Sequence, residues 1–517
     1  MIKNFKWLLL VSLTFVACNN DEAGIDPYSS DGLPLTAGTA DFSKYVAIGN
    51  SLTAGFGDGA LFIAGQEGSY PNLLSQQFAL VGGGEFKIPF MNDNVGGLLL
   101  GGFQIQGPRL YLAPGNIPTP APGTVTTEVS TVLTGPYNNM GVPGAKSFHL
   151  VAPGYGNVAG VASGSSNPYF VRFASSPGTT VLADAFAQAP TFFSLWIGNN
   201  DVLSYATSGG MGINQLGNLD PATYGGNDIT DPNVFASVYS TLVNQLTANG
   251  AKGVVANIPY VTSVPFFTTV PTNPIPGLPS ASAGQLNTLF GGINAALAGA
   301  SLPPRFVTLV ADDGNPATVE SNPLLIKDES LPNISAQITA ALTPVLGPTT
   351  AGFLGPLYGQ ARHASSAADS RDYILLTARG IIGTTQTGAP SPFNTIGVSY
   401  PMQDNTTLTA SETAEVKTAT DAYNATILAL ANSKELAFVD ANAALNQVAN
   451  GGLVYNGYTM TSAYVTGNSF SLDGVHPSPK GYALIANKFL EAINAKYGSN
   501  FKGVNLGQYR ILFPAML

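Results

Sequence analysis

The 517-residue sequence holds one cysteine, three histidines and two tryptophans, and only 10% of its residues are charged. A single cysteine excludes an internal disulfide framework, so packed side chains must hold the chain together. Three scattered histidines leave no clustered ligand spacing of the kind zinc sites use, and no metal or other cofactor is expected. Lysine and arginine number 20 against 30 acidic residues, a formal net charge of −10 with no basic cluster, which speaks against a nucleic-acid partner. What the chain has in quantity is apolar residues, at 45%, together with 59 glycines and 37 prolines. That mixture implies a large core joined by long loops rather than disorder, because the apolar residues run through the glycine- and proline-rich stretches.

Against this background two short blocks at opposite ends of the chain stand out. Near the start, the apolar run Tyr45 to Ile48 turns at Gly49 and meets Ser51, where a parallel strand would hand over to a helix. Taken alone, Ser51 would serve equally well as a helix cap. Near the end, Asp473 and His476 are separated by only two residues and are followed by Pro477 and an apolar-striped segment, Tyr482, Ile485, Ala486, Phe489, Leu490 and Ile493, with the spacing of one buried helix face. A serine hydroxyl becomes a nucleophile only when an imidazole takes its proton, and the imidazole needs an acceptor on its other nitrogen. The remaining histidines, His149 and His363, have no acid at a comparable spacing. Between the blocks lie Gly144, which would also serve as an ordinary turn glycine, and Asn200, which would also serve as a helix cap after the apolar run at 192–197.

Four ordered stretches, GNSL with Ser51, NMGVPGAKS with Gly144, IGNND with Asn200 and DGVHP with Asp473 and His476, resemble the GDSL, or SGNH, hydrolase superfamily of serine esterases and lipases. The resemblance implies an α/β fold, a three-layer α/β/α flavodoxin-like core with a mainly parallel central sheet. It further implies Ser51 as nucleophile, His476 as general base and then acid, Asp473 as the carboxylate that orients His476, and an oxyanion hole shared by the backbone N–H groups of Ser51 and Gly144 and the side-chain amide of Asn200. Asn50 departs from the pattern, standing where the family name has Asp; Asn keeps an acceptor oxygen and adds donors.

The chain start carries Lys3 and Lys6, an apolar stretch at 7–16 too short to span a bilayer, and Ala17-Cys18 at its close, the pattern of a secretory signal. With its only cysteine at that junction, the segment resembles a bacterial lipoprotein lipobox, although Phe15 stands where that motif usually has Leu. The resemblance implies removal of 1–17, lipidation of Cys18, a polar tether at 18–34 and a location in the bacterial cell envelope; a plain cleaved signal with an incidental cysteine is the alternative.

From 35 to 517 the chain reads as one domain of alternating strands and helices. Strands are expected at 44–48, 191–197, 253–258, 305–310 and 436–439, and helices at 234–248, 283–298, 410–431 and 479–496. A minimal hydrolase of the family is much shorter, so the surplus is assigned to insertions at about 82–136 and 266–402. They are expected to wall the cleft, with Phe266, Phe267, Phe353, Leu354 and Tyr358 forming an apolar approach. The expected partner is a small-molecule, lipid or glycan ester. A lipase or esterase is favoured over a carbohydrate esterase that removes acetyl groups, and a surface lipoprotein that only binds glycans is the reading from a different class.

Overall fold

Short runs dense in β-branched and aromatic residues suit strands covered on both faces, and the central sheet is built of them. The computed structural model describes residues 32–517. Its five central strands are β1 (Tyr45–Gly49), β2 (Asn139–Gly141), β3 (Phe192–Trp196), β4 (Lys252–Ala256) and β5 (Ala437–Val439). All pairings are parallel and the spatial order is β2-β1-β3-β4-β5. Every residue of β1, β2 and β3 is buried, so both sheet faces are covered.

The helices that matter here are α1 (Ser51–Ala54), α2 (Tyr70–Ala79), α3 (Asn200–Thr207), α4 (Pro232–Thr247), α5 (Ser280–Gly299), α6 (Ser335–Tyr358, two helical segments broken at Gly347), α7 (Ala410–Ser433), α8 (Ala441–Ala449) and α9 (Pro479–Tyr497). Local chemistry starts them: Asp231 and Ser478 cap α4 and α9 with a proline in each first turn, and Thr409 and Glu412 form a capping box on α7. Four expected strands and all four expected helices form to within a few residues of the expected ends. The fifth strand does not. Residues 305–310 lie in the second insertion, where Arg305 and Val310 accept backbone hydrogen bonds from His363 and Leu278 instead of joining the sheet. The fifth place belongs to Asn139–Gly141, too short and too polar to show an apolar alternation.

The first insertion forms two hairpins, Leu98–Leu100 with Phe103–Gln106 and Leu110–Ala113 with Ile117–Pro120. The second carries α5 and α6 around a core of its own, with Phe290, Phe306, Leu354 and Tyr358 among its buried residues. Pro34 O accepts from Asn500 Nδ2 at 3.1 Å and Asn500 Oδ1 accepts from Thr36 N–H at 2.8 Å, so the expected domain start is pinned to the chain's C-terminal part. The expected signal, Cys18 and most of the tether lie outside the described residues. Among the described residues no helix is long and apolar enough to cross a membrane.

Candidate active site

In a parallel sheet the strand order reverses at one point, and loops leaving the strand ends there diverge to open a crevice. Here the reversal falls between β1 and β3, and Ser51 and Asn200 each open the helix that follows one of those strands. The helix cap is not Ser51 but Asn50, whose Oδ1 accepts from Leu52 N–H at 3.0 Å, so the Ser51 hydroxyl is left for other work. The Asn50 amide also donates to Asn199 Oδ1 at 3.3 Å. A carboxylate at position 50 could not donate that bond.

Ser51 Oγ lies 2.9 Å from His476 Nε2, and His476 Nδ1 lies 2.9 Å from Asp473 Oδ2. The two ends of the chain, 425 positions apart, thus meet in one hydrogen-bonded line. The Asp473 side chain is only 15% exposed. Burial pushes its carboxyl up, but the facing His476 and the N–H groups of His476 and Val475 outweigh burial and hold it down at about 2. Asp473 is therefore a carboxylate at any physiological pH. With Asp473 Oδ2 as acceptor, Nδ1 of His476 carries the proton and Nε2 faces Ser51 as the acceptor. Phe56 covers the imidazole at 4.7 Å between ring centres.

Of the oxyanion donors expected from the sequence, Ser51 and Asn200 line the same crevice, and Gly144 lies in the turn that follows β2. Ser51, as the first residue of α1, has an N–H with no partner within its helix. Gly49 is the register partner of Gly141, so the 142–145 turn leaves β2 beside the Ser51 turn leaving β1. The approach is close: a Cβ on Gly141 would stand 2.3 Å from Ala54 N. Gly144 has φ +82°, a conformation that a residue with a side chain adopts at a cost. Asn200 Nδ2 donates to Ala145 O at 2.9 Å, which ties the amide to this turn. The adjacent Asp201 fastens the turn from behind by accepting from Ser147 N–H at 2.8 Å and Ser147 Oγ at 2.6 Å.

Asp58 is a residue that sequence reasoning missed. It is 2% exposed, accepts from Leu472 N–H at 2.8 Å and, with Gly59 N–H donating to Asp473 Oδ2 at 3.0 Å, forms the back wall of the triad. Burial, with the nearby Asp473 charge adding to it against the Leu472 N–H, pushes the Asp58 carboxyl up to about 7. The only sequence signal was its place seven residues after the serine, inside a glycine-rich turn.

A cavity of about 140 Å³ opens at Ser51 and His476. Its apolar lining comes from α3, the loop after β4, α8 and α9; Leu203, Val261, Leu445, Val448, Leu484 and Phe489 are examples. Neither insertion lines it, which corrects the expected walls. Leu354 and Tyr358 are buried in the insertion's own core with Phe353 packed on it, Phe267 is buried in the main core, and Phe266 packs against that core with its N–H donating to Gly474 O at 2.9 Å. The insertions act behind the site instead: Gln106 Nε2 donates to Gly59 O at 3.0 Å, and Leu110 N–H to Asp58 O at 2.7 Å.

His149 and His363 are structural, with Nδ1 of each accepting a backbone N–H, from Lys146 at 3.1 Å and Val307 at 2.9 Å. Among the described residues two acidic groups have a spacing that could hold a cation, Asp312 with Asp313 and Glu320, and Glu329 with Asp404 and Glu412. Neither includes a triad residue, and Glu412 is already engaged in capping α7. No family model, curated protein or solved structure matches this chain.

Proposed function

We propose that the protein is a serine hydrolase that cleaves carboxylic esters through an acyl-enzyme, on a flavodoxin-like α/β/α core of the GDSL/SGNH type. The observation that carries this reading is the continuous line from Ser51 Oγ through His476 to Asp473, with 2.9 Å at each step. The strand order β2-β1-β3-β4-β5 supports the core type, since it is the flavodoxin-like order with the site at its switch point.

In this reading His476 Nε2 takes the Ser51 proton as Oγ adds to the ester carbonyl. The carbonyl oxygen becomes an oxyanion, met by the N–H groups of Ser51 and Gly144 and the Asn200 amide. The imidazolium, stabilised by Asp473, then gives its proton to the alkoxide as the C–O bond breaks and the alcohol leaves. Water repeats the sequence on the acyl-enzyme: His476 takes its proton, the tetrahedral intermediate collapses, and Ser51 leaves with that proton as the acid is released. Every proton moved is carried by His476, so the protein's own residues complete the cycle.

A protein that only bound a ligand in this crevice would have no use for a buried carboxylate oriented on an imidazole that faces a serine hydroxyl. The test is covalent labelling with a fluorophosphonate probe. Labelling of the wild type and none of Ser51→Ala is expected; equal labelling of both would remove Ser51 from the mechanism. For location we propose a lipid-anchored envelope protein. Cys18→Ala should move it from the membrane to the soluble fraction with unchanged activity per molecule, and equal partition of the two would overturn the anchor.

A further inference from the structure

Protein interiors are close-packed, and an apolar space larger than a few waters is uncommon unless something fills it. The cavity beside Ser51 has a defined direction. Helices α8 and α9 both begin near the strand ends, α8 directly after β5 and α9 directly after the His476 loop, and both run away from them. Each gives the cavity one face: Ala441, Ala444, Leu445 and Val448 on α8, and Gly481, Leu484, Ile485, Lys488 and Phe489 on α9. These are the i, i+3, i+4, i+7 positions of a helix that would ordinarily bury its stripe against a neighbour. Small residues on α8, Ala441 and Ala444, leave the space open.

Polarity is uneven along this space. Asn50, Ser51, Asn199, Asn200 and His476 gather where β1, β3 and the His476 loop end. At the other end the one charged group is Lys488, whose side chain is 27% exposed and whose Nζ is engaged by Glu491 at 2.8 Å and stands over the Tyr455 ring, so only its aliphatic stem faces inward. A polar sugar or glycerol would lose its hydrogen bonds in such a slot, whereas a methylene chain would lose none.

Resting on the hydrolase reading, we infer that the slot between α8 and α9 holds the acyl chain of a medium-chain fatty ester, about eight to ten carbons long, with its carbonyl at Ser51. The length follows from the helices. The α9 stripe from Gly481 to Phe489 spans roughly 12 Å at about 1.5 Å per residue, and an extended chain with carbon–carbon bonds of about 1.5 Å advances roughly 1.25 Å per carbon. The acyl group rather than the alcohol occupies the slot, because the acyl group stays on Ser51 between the two half-reactions while the alcohol must leave past His476.

The experiment measures kcat/KM for p-nitrophenyl esters from acetate to palmitate, and for methyl decanoate against decyl acetate. Wild type should gain about fourfold per methylene up to eight to ten carbons and then level or fall, and should prefer methyl decanoate to decyl acetate. Ala444→Trp and Ile485→Trp, which fill the slot from opposite walls, should each lower the decanoate-to-acetate ratio at least about 30-fold while fluorophosphonate labelling persists. A flat acyl profile, a preference for decyl acetate, or an unchanged ratio in both variants overturns the inference and leaves the nucleophile standing. Absence of both ester turnover and labelling in the wild type defeats the hydrolase reading itself, and the slot assignment falls with it.

Discussion

Two helix pairs in this protein start from similar sequence patterns and end differently. In the second insertion α5 and α6 close on each other: Phe290 meets Tyr358 edge-on at 5.8 Å between ring centres, Phe306 from the segment between the helices stacks on Phe290 at 4.9 Å, and the Tyr358 hydroxyl donates to Ser399 O at 2.7 Å. In the main core α8 and α9 present comparable apolar stripes and leave a space of about 140 Å³ beside Ser51. The difference lies in the size of the side chains at facing positions. Large rings fill one interface, while Ala441 and Ala444 leave the other open beside Ser51. An apolar stripe therefore reports that a helix face avoids water, and only the neighbour decides whether it meets protein or ligand.

The sharpest test of this division is to remove chemistry from one region and packing from the other. Ser51→Ala and His476→Ala should each lower kcat/KM for an ester by about 10⁴–10⁶ with little change in thermal unfolding, and Asp473→Asn by about 10⁴ through the wrong tautomer of His476. Tyr358→Ala, in the filled interface, should cost about 3–5 kcal/mol of stability by denaturant unfolding and leave kcat/KM of the folded protein within a few-fold. Loss of catalysis without loss of stability in Tyr358→Ala would mean that the insertion reaches the chemistry after all.

Smaller effects sharpen the comparison within the site. Asn200→Ala removes one uncharged oxyanion donor and should lower kcat by about 10²–10³ with a small change in KM, measured at saturating ester; a pure KM effect would make Asn200 a ground-state contact. Asp58→Asn probes the wall behind Asp473. Because the Asp58 carboxyl is raised to about 7 in the fold, the folded protein keeps this proton between about pH 4 and 7, where the unfolded chain has already released it. Wild-type stability should therefore fall as pH rises through that window, and the loss is complete above pH 7. Asn keeps the acceptor for Leu472 N–H and cannot ionise, so the variant should gain on the order of 1–3 kcal/mol relative to wild type between pH 5 and 8. Parallel stability curves for the two proteins would show that Asp58 is ionised at no cost.

The chemistry-bearing residues were legible in the sequence because their chemistry depends on residue type and local turn geometry. Ser51 after a strand, Asp473 three residues before His476 and the helix caps of α4 and α9 are short-range features, and the strands at β1, β3, β4 and β5 carry dense apolar runs. Asn139–Gly141 was not legible, because a three-residue strand at the sheet edge is specified by its neighbour's open hydrogen-bonding groups rather than by its own pattern. Residues 305–310 misled for the converse reason: an apolar run next to Asn287, Asn294 and Asn322 satisfies its backbone with side chains and needs no sheet.

The sequence by itself determined the candidate nucleophile, its base and its orienting acid, the parallel α/β plan and the presence of two large insertions, since each rests on residue identity or on periodicity within one segment. Only the tertiary structure decided that the insertions brace the site from behind rather than wall it, that Asp58 stands behind the triad, and that the space beside Ser51 runs between α8 and α9. The physical reason is common to all three. They depend on how far apart two segments stand after packing, and that distance is set by the summed volumes of side chains from four or five elements distant in sequence.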